Sequence, residues 1–340
     1  MKVTERNVGV GIVGAGLIGF KRAEVLKLTK KGKLLAAADV DFRRAQKLAE
    51  KYSCDAYSDW RKLVRREDIG IVVVSVPNKF TAPIAIEALR QGKHVLCEKP
   101  LGRNAREARA VLNAARKYRK VLKVGFNHRF YSGVLLAKKL FDEGKIGKPM
   151  FIRARYGYGG RLGMEKEWRL NKKISGGGEL LDQGVHIIDL ARWFAGEPEK
   201  IYGLTRTKFW KTKLDDNAFV VMENKNATVQ FHVSSTNWKN IFSFEVFGTH
   251  GYLQIDGRGG SYGEETLTFG KRKPQFGVPD VKVFKFHGDL SWQREWENLL
   301  SAIFGRRKII GDAYDGWQAN RIVEAIYRSS KIGKPVVFKS

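Results

Sequence analysis

Five short apolar runs in the first third of the chain leave few folds open. Residues 69–77, "IGIVVVSVP", are apolar and β-branched without alternation, the mark of a strand buried on both faces. "VGVGIVG" (8–14), "KLLAAADV" (33–40), "KHVLCEKP" (93–100) and "VLKVGF" (121–126) are strand candidates of similar length. Between them the spacing is helical, at 17–29, 41–52, 82–92 and 105–118. Connections of that length return the chain to a parallel neighbour instead of closing hairpins. A Rossmann-type, doubly wound parallel sheet is therefore expected over 1–126.

Beyond about residue 148 the texture changes. "PMFIRARYGYG", "KIYGLTRTKFW", "NAFVVMEN", "ATVQFHVSS", "FSFEVFG" and "GYLQID" follow one another as strand candidates, broken by helical patterns at 179–195, 291–304 and 317–330. Strands joined by short turns make antiparallel sheet. A second domain, 127–340, of α+β class with a large, mostly antiparallel open sheet is expected.

Composition removes several function classes. The 340 residues are 43% hydrophobic and 11% aromatic, enough to build cores. No apolar run reaches the length of a membrane span. The first residues are charged and lead directly into a strand, so a cytoplasmic protein is expected. Two cysteines, Cys54 and Cys97, make no disulfide framework, and the histidines lack metal-ligand spacing. The net charge of +28 is spread along the whole chain, with no zinc finger, RNA-recognition signature or basic heptad. Such a field attracts polyanions weakly and salt-sensitively, and specific nucleic-acid recognition is not expected.

"GIVGAGLIG" places Gly14, Gly16 and Gly19 in G-x-G-x-x-G spacing between a strand and a helix, with Leu17 and Ile18 inside the motif. The first glycine permits the tight turn, the second lets backbone approach a pyrophosphate, and the third lets helix and sheet pack closely. Asp39 follows the second strand, where a carboxylate accepts from a ribose 2′-hydroxyl and repels a 2′-phosphate. NAD is favoured; Arg43 and Arg44, at the start of the next helix, keep NADP open. Pro77 and Asn78 end the third strand at the same sheet edge and are expected to line the cofactor site.

Two segments suggest acid–base chemistry. Lys99 ends the "HVLCE" strand after Glu98 and precedes a proline. There it can donate to a substrate hydroxyl or take its proton, or be one surface lysine among many. In "SGGGELLDQGVHIIDLARWFAG" (175–196), Asp182 and His186 are four apart and would share a helix face. They read either as a carboxylate orienting an imidazole or as a satisfied core histidine, with Asp189 a rival partner.

Together, "GIVGAGLIG", "GKHVLCEKPLG", "GFNHRF" and "GGGELLDQGVHIIDLARWFAG" resemble the glucose–fructose oxidoreductase, inositol dehydrogenase and MocA (Gfo/Idh/MocA) family over essentially the whole chain. The resemblance implies a Rossmann domain followed by a large sheet domain. It also implies nicotinamide-dependent oxidation or reduction at a sugar or cyclitol carbon. By that similarity Lys99, Asp182 and His186 match the family's catalytic positions, and Glu98 and Lys99 lie beside the nicotinamide. This chain departs from many members in having "NKFTAP" after the third strand, where they carry a histidine.

On that footing His186 is expected to move the proton, held by Asp182, with Lys99 on the same oxygen; Lys99 as base is the alternative. No metal is needed, because Lys99 can stabilise an alkoxide. Asn127 and Arg129 are expected on the substrate side, with an interdomain ion pair the rival role for Arg129. Arg155, Tyr156 and Arg169 belong to a cluster suited to a phosphorylated or nucleotide-linked sugar. Expected partners are a sugar, nucleotide-sugar or cyclitol substrate and further copies of the chain, as dimer or tetramer, through the open sheet. The alternatives are a NAD-dependent glycosidase on the same scaffold, a non-catalytic cofactor sensor, or a nucleic-acid-associated protein.

Overall fold

In the computed structural model, which describes residues 4–339, the apolar runs of the first third form one six-stranded sheet. Its strands are β1 (Gly9–Val13), β2 (Lys33–Ala38), β3 (Asp55–Tyr57), β4 (Ile71–Val74), β5 (His94–Cys97) and β6 (Leu122–Val124). They lie in the order β3-β2-β1-β4-β5-β6, and every pair is parallel. The strand order reverses between β1 and β4, and ligands of such sheets bind at the carboxyl ends beside that switch. β3 and the helix Trp60–Val64 lie where the sequence suggests no element, because neither is long enough to show a period.

The core of this unit holds Val10, Ile12, Ile71, Val73 and Leu96. It also holds Trp296, Leu299 and Leu300, from the helix Ser291–Ile303. The Trp296 indole N–H donates to the Lys31 carbonyl at 2.9 Å, and the buried Lys123 ammonium donates to Asn298 at 2.9 Å. The unit is therefore Met1–Phe126 together with Trp292–Asn320. A single boundary after Phe126 does not describe it, because those apolar helix residues fill the space beside β1.

The second unit is Asn127–Ser291 with Arg321–Ser340. It is built on β7 (Pro149–Gly157), β8 (Lys200–Arg206), β9 (Asn217–Glu223), β10 (Thr228–Ser234), β11 (Ile241–Gly248), β12 (Gly251–Asp256), β13 (Glu265–Lys271), β14 (Asp280–Phe286) and β15 (Val336–Val337). The order is β14-β13-β12-β11-β7-β10-β9-β8-β15, and only the β7–β10 pair is parallel. β13, β14 and β15 go beyond the six strands legible in sequence; "DVKVFKF" is a lysine-rich edge strand, largely exposed.

Alternation divides the faces. Ile152, Ala154 and Tyr156 of β7 are buried, with the helix Val185–Ala195 packed on that strand. The helix Ser132–Asp142 packs on β12 and β13. Phe151, Tyr202, Phe219 and Val221 are exposed.

Candidate active-site residues in the two units

The glycine turn after β1 distinguishes its three glycines by the space around them. Gly14 has φ +98°, and a Cβ there would overlap the Ser75 carbonyl. A Cβ on Gly19 would overlap the Gly14 carbonyl oxygen, so this glycine sets the closeness of helix to strand. At Gly16 a Cβ would meet nothing within 4 Å. That glycine is unnecessary for packing, and the open space beside it is what a pyrophosphate on the helix N-terminus requires. The turn thus fits a dinucleotide.

Asp39 accepts from the Ala15 N–H at 2.9 Å and the Asp41 N–H at 3.0 Å, tying the end of β2 to the glycine turn. Leu17, the first residue of the helix, is exposed, and Ile18 is half-buried. The Arg43 side chain is 90% exposed and lies 3.3 Å from Asp41, whose carboxylate also caps the helix Phe42–Tyr52. Pro77 precedes the helix Asn78–Arg90, and Asn78 is buried at its start.

Glu98 and Lys99 part ways. The Glu98 carboxylate accepts from the Arg22 Nε at 2.8 Å, and Arg22 also pairs with Glu295 at 2.7 Å. Burial pushes the Glu295 carboxyl up, and Arg22 is fully buried between the two acids. Glu98 is accordingly a clamp between the end of β5 and the helices bearing Arg22 and Glu295. Lys99 follows, half-buried, and its peptide to Pro100 is cis. Burial pushes the Cys97 thiol well up, so this cysteine is a core residue and not a nucleophile.

In the second unit the structure brings His186 against His128. Their rings stack with centroids 3.8 Å apart and planes 24° apart, and both are buried. Asn127 lies with Oδ1 3.2 Å from His128 Nδ1, while its amide donates to the Ser291 hydroxyl at 3.1 Å. Tyr156 closes the group, 5.3 Å from the His128 ring and 6.4 Å from that of His186.

Three expectations change here. The segment Leu180–Gly184 is a π-helical turn leading into the helix Val185–Ala195, so Asp182 and His186 are not related by plain α-helical spacing. The Asp182 carboxylate lies 3.4 Å from Arg169, which also approaches Glu167 at 3.4 Å. Arg129, expected on the substrate side, is held by an acid of its own unit. Its guanidinium grips Asp189 through two hydrogen bonds, at 2.7 and 2.6 Å, within the same unit and almost out of solvent. Arg155 lies on the exposed side of β7, with Arg153 and Phe219, opposite the face on which Tyr156 meets the histidines. One residue of strand parity separates the two, and only Tyr156 belongs with His186.

Asp215 was not apparent in the sequence. Its carboxylate accepts from the N–H groups of Gly178 (3.2 Å) and Leu180 (2.8 Å) and from the Tyr327 hydroxyl (2.7 Å), anchoring the start of the His186 segment. Gly178 has no room for a Cβ against the same Asp215, which accounts for the last glycine of the run.

Residues 8–126 match the model of the oxidoreductase family with an NAD-binding Rossmann fold, and residues 134–254 match that of the GFO/IDH/MocA C-terminal domain. The chain belongs to the Gfo/Idh/MocA oxidoreductases. Among relatives in this family, the inositol 2-dehydrogenase of Rubrobacter xylanophilus is 28% identical over 98% of this chain and 94% of its own. The levoglucosan dehydrogenase of Pseudarthrobacter phenanthrenivorans is 34% identical over 56% of this chain, which spans about half (52%) of that relative. A solved levoglucosan dehydrogenase in complex with NADH and levoglucosan superposes with a TM-score of 0.90 at 24% identity, covering 98% of this chain and 100% of that one, a likeness of fold. The Gfo/Idh/MocA fold seen here, a parallel sheet and a mostly antiparallel second sheet, is thus shared with that solved structure. Among the described residues, no helix is long and apolar enough to cross a membrane.

Proposed function

We propose that this protein is an NAD-dependent dehydrogenase acting on a secondary alcohol of a sugar, nucleotide sugar or cyclitol. The observation that carries the reading is the open space at Gly16 in a turn whose other two glycines are sterically required. That space supports dinucleotide binding, and the names of the relatives supply the substrate class. Gly14, Gly16, Leu17, Ile18 and Gly19 would hold the pyrophosphate, Asp39 the adenosine ribose, and Pro77 and Asn78 the wall beyond. Asp39 favours NAD over NADP, and Arg43, paired with Asp41 at 3.3 Å, leaves NADP as the second choice. When bound, the nicotinamide accepts or returns the hydride.

The chain's own residues handle the proton. His186 would take it from the substrate hydroxyl, its ring fixed against His128 and so ready in one orientation. Asp182 and Arg169 would set the local charge, and Lys99 would donate to the same oxygen and stabilise the alkoxide as it develops. Asn127 keeps His128 in register. The exposed aromatic residues Tyr202 and Phe219 support self-association into a dimer or tetramer. The thiols of Cys54 and Cys97, both free, suit a reducing cytoplasm.

The test mixes purified protein with NAD or NADP and a panel of inositols, glucosides, free aldoses and nucleotide sugars, following nicotinamide absorbance. One substrate class should drive reduction, and Lys99→Met or His186→Asn should lower kcat/KM by roughly 100-fold or more. Cofactor binding with no reduction across the panel would refute the reading.

A further inference from the structure

The segment "DGRGGSYG" (256–263) joins β12 to β13. Gly257, Gly259, Gly260 and Gly263 all take left-handed backbone, and the Gly259 N–H closes the turn on the Gly263 carbonyl at 2.8 Å. A Cβ at Gly257 would overlap the Glu264 carbonyl, whereas at Gly259, Gly260 or Gly263 it would meet nothing within 4 Å. The base of the loop is therefore tight and its tip open.

Beyond Asp256, which ends β12, the loop presents one charged side chain, Arg258. Its guanidinium carbon sits 3.8 Å above the Tyr262 ring and 5.4 Å from that of Tyr156, and Nη1 donates to the Tyr131 hydroxyl at 3.3 Å. The Nε is buried with no hydrogen-bond partner, and no described carboxylate forms an ion pair with the group. Elsewhere the chain supplies acids to its buried arginines: Glu98 and Glu295 to Arg22, Asp189 to Arg129, Glu197 to Arg192. Arg258 itself is half-buried; holding a guanidinium there among phenols, with its Nε shut off from water, is costly, and cation–π contact offsets only part of that cost. Two of the tyrosines that cage it are neighbours of the stacked histidines. Tyr131 meets His128 edge-on at 5.3 Å, and Tyr156 touches both His128 and His186.

We propose that Arg258 forms a subsite for an anionic substituent of the substrate, a carboxylate or phosphate carried on the sugar, which supplies the counter-charge the fold omits. The planar fork of arginine suits either group, and the Tyr262 ring holds it in one plane. The proposal rests on reading the protein as a sugar dehydrogenase and names the kind of sugar.

The experiment is calorimetric titration of NADH-loaded protein with glucose, glucuronate, glucose 1-phosphate and glucose 6-phosphate. Wild type should bind at least one anionic sugar about tenfold or more tighter than glucose, and which one distinguishes carboxylate from phosphate. Arg258→Leu should abolish that preference and Arg258→Lys retain part of it, with glucose affinity moving by less than about threefold in both. The wild-type comparison needs no variant, so a misfolded Arg258→Leu would not rescue the idea. Equal binding of neutral and anionic sugars, no binding of any, or a preference that survives Arg258→Leu overturns it. Turnover of neutral sugars without anionic preference would sink the subsite and leave the dehydrogenase reading intact. Anion preference lost in Arg258→Leu, in a protein that reduces NAD with no sugar, would do the reverse.

Discussion

The Arg129–Asp189 pair makes a sharp stability prediction. It links the turn Asn127–Phe130, which carries His128, to the helix Val185–Ala195, which carries His186. Both side chains are under 5% exposed, and both guanidinium–carboxylate hydrogen bonds are short. Two unit charges near contact attract by about 4 kcal/mol at the effective dielectric typical of proteins. Removing one member of a buried pair costs about 3–5 kcal/mol, because the other remains desolvated. Asp189→Asn keeps the shape and removes the charge. For a unit of this size, 3–5 kcal/mol corresponds to a melting-temperature drop of roughly 6–20 °C. Calorimetry of the wild type, Asp189→Asn and the double variant Arg129→Met/Asp189→Leu gives the test. The double variant, with no charge left to strand, should recover most of the loss. If Asp189→Asn melts within about 2 °C of wild type, the pair is not a desolvated clamp and the reasoning fails.

Gly16→Ala should leave the melting temperature within about 2 °C of wild type while NADH fluorescence titration shows affinity lowered by tenfold or more, whereas Gly19→Ala should destabilise by about 1–3 kcal/mol through overpacking. Burial, helped by the nearby Lys120 charge, lowers the His94 pKa to about 4, and its Nδ1 accepts from the Val121 N–H at 3.0 Å. The unfolded chain takes up that proton below its ordinary value near 6.5, so folding free energy should fall from pH 6.5 towards pH 4 and be flat above. Discounted for partial exposure, the site contributes about 2 kcal/mol, and urea melts of His94→Gln should show a shallower pH slope. Asp215→Ala removes the acceptor for two backbone N–H groups and a buried hydroxyl, and should cost about 2–4 kcal/mol in urea denaturation; unchanged stability would mean that the glycine run needs no such anchor.

What the sequence revealed and what it hid follow from distance along the chain. Gly14, Gly16, Gly19 and Asp39 are legible because a βαβ unit is nearly local, so spacing stands in for geometry. Arg129 was not, because its partner lies 60 residues on and any of several acids would have served as well on paper. Arg155 and Tyr156 illustrate a second kind of failure. Alternation shows that they face opposite ways, but only the helix Val185–Ala195 on one face decides which of them meets His186. Arg258 lay in a segment recognisable as a loop, yet its lack of an acid partner is a property of three dimensions alone.

The helix that completes the first unit has a consequence for the order of folding. Trp296, Leu299 and Leu300 belong to the core beside β1, yet about 170 residues separate Phe126 from them. At roughly 5–20 residues per second, a ribosome takes about 10–35 s to bring them out. Throughout that interval the nascent parallel sheet has an apolar wall open to water, and the second unit is synthesised in its presence. A fragment ending at Phe126 should accordingly behave as a chaperone client and not as a free-standing domain, and a circular permutant that moves residues 292–320 ahead of β1 should shorten the wait.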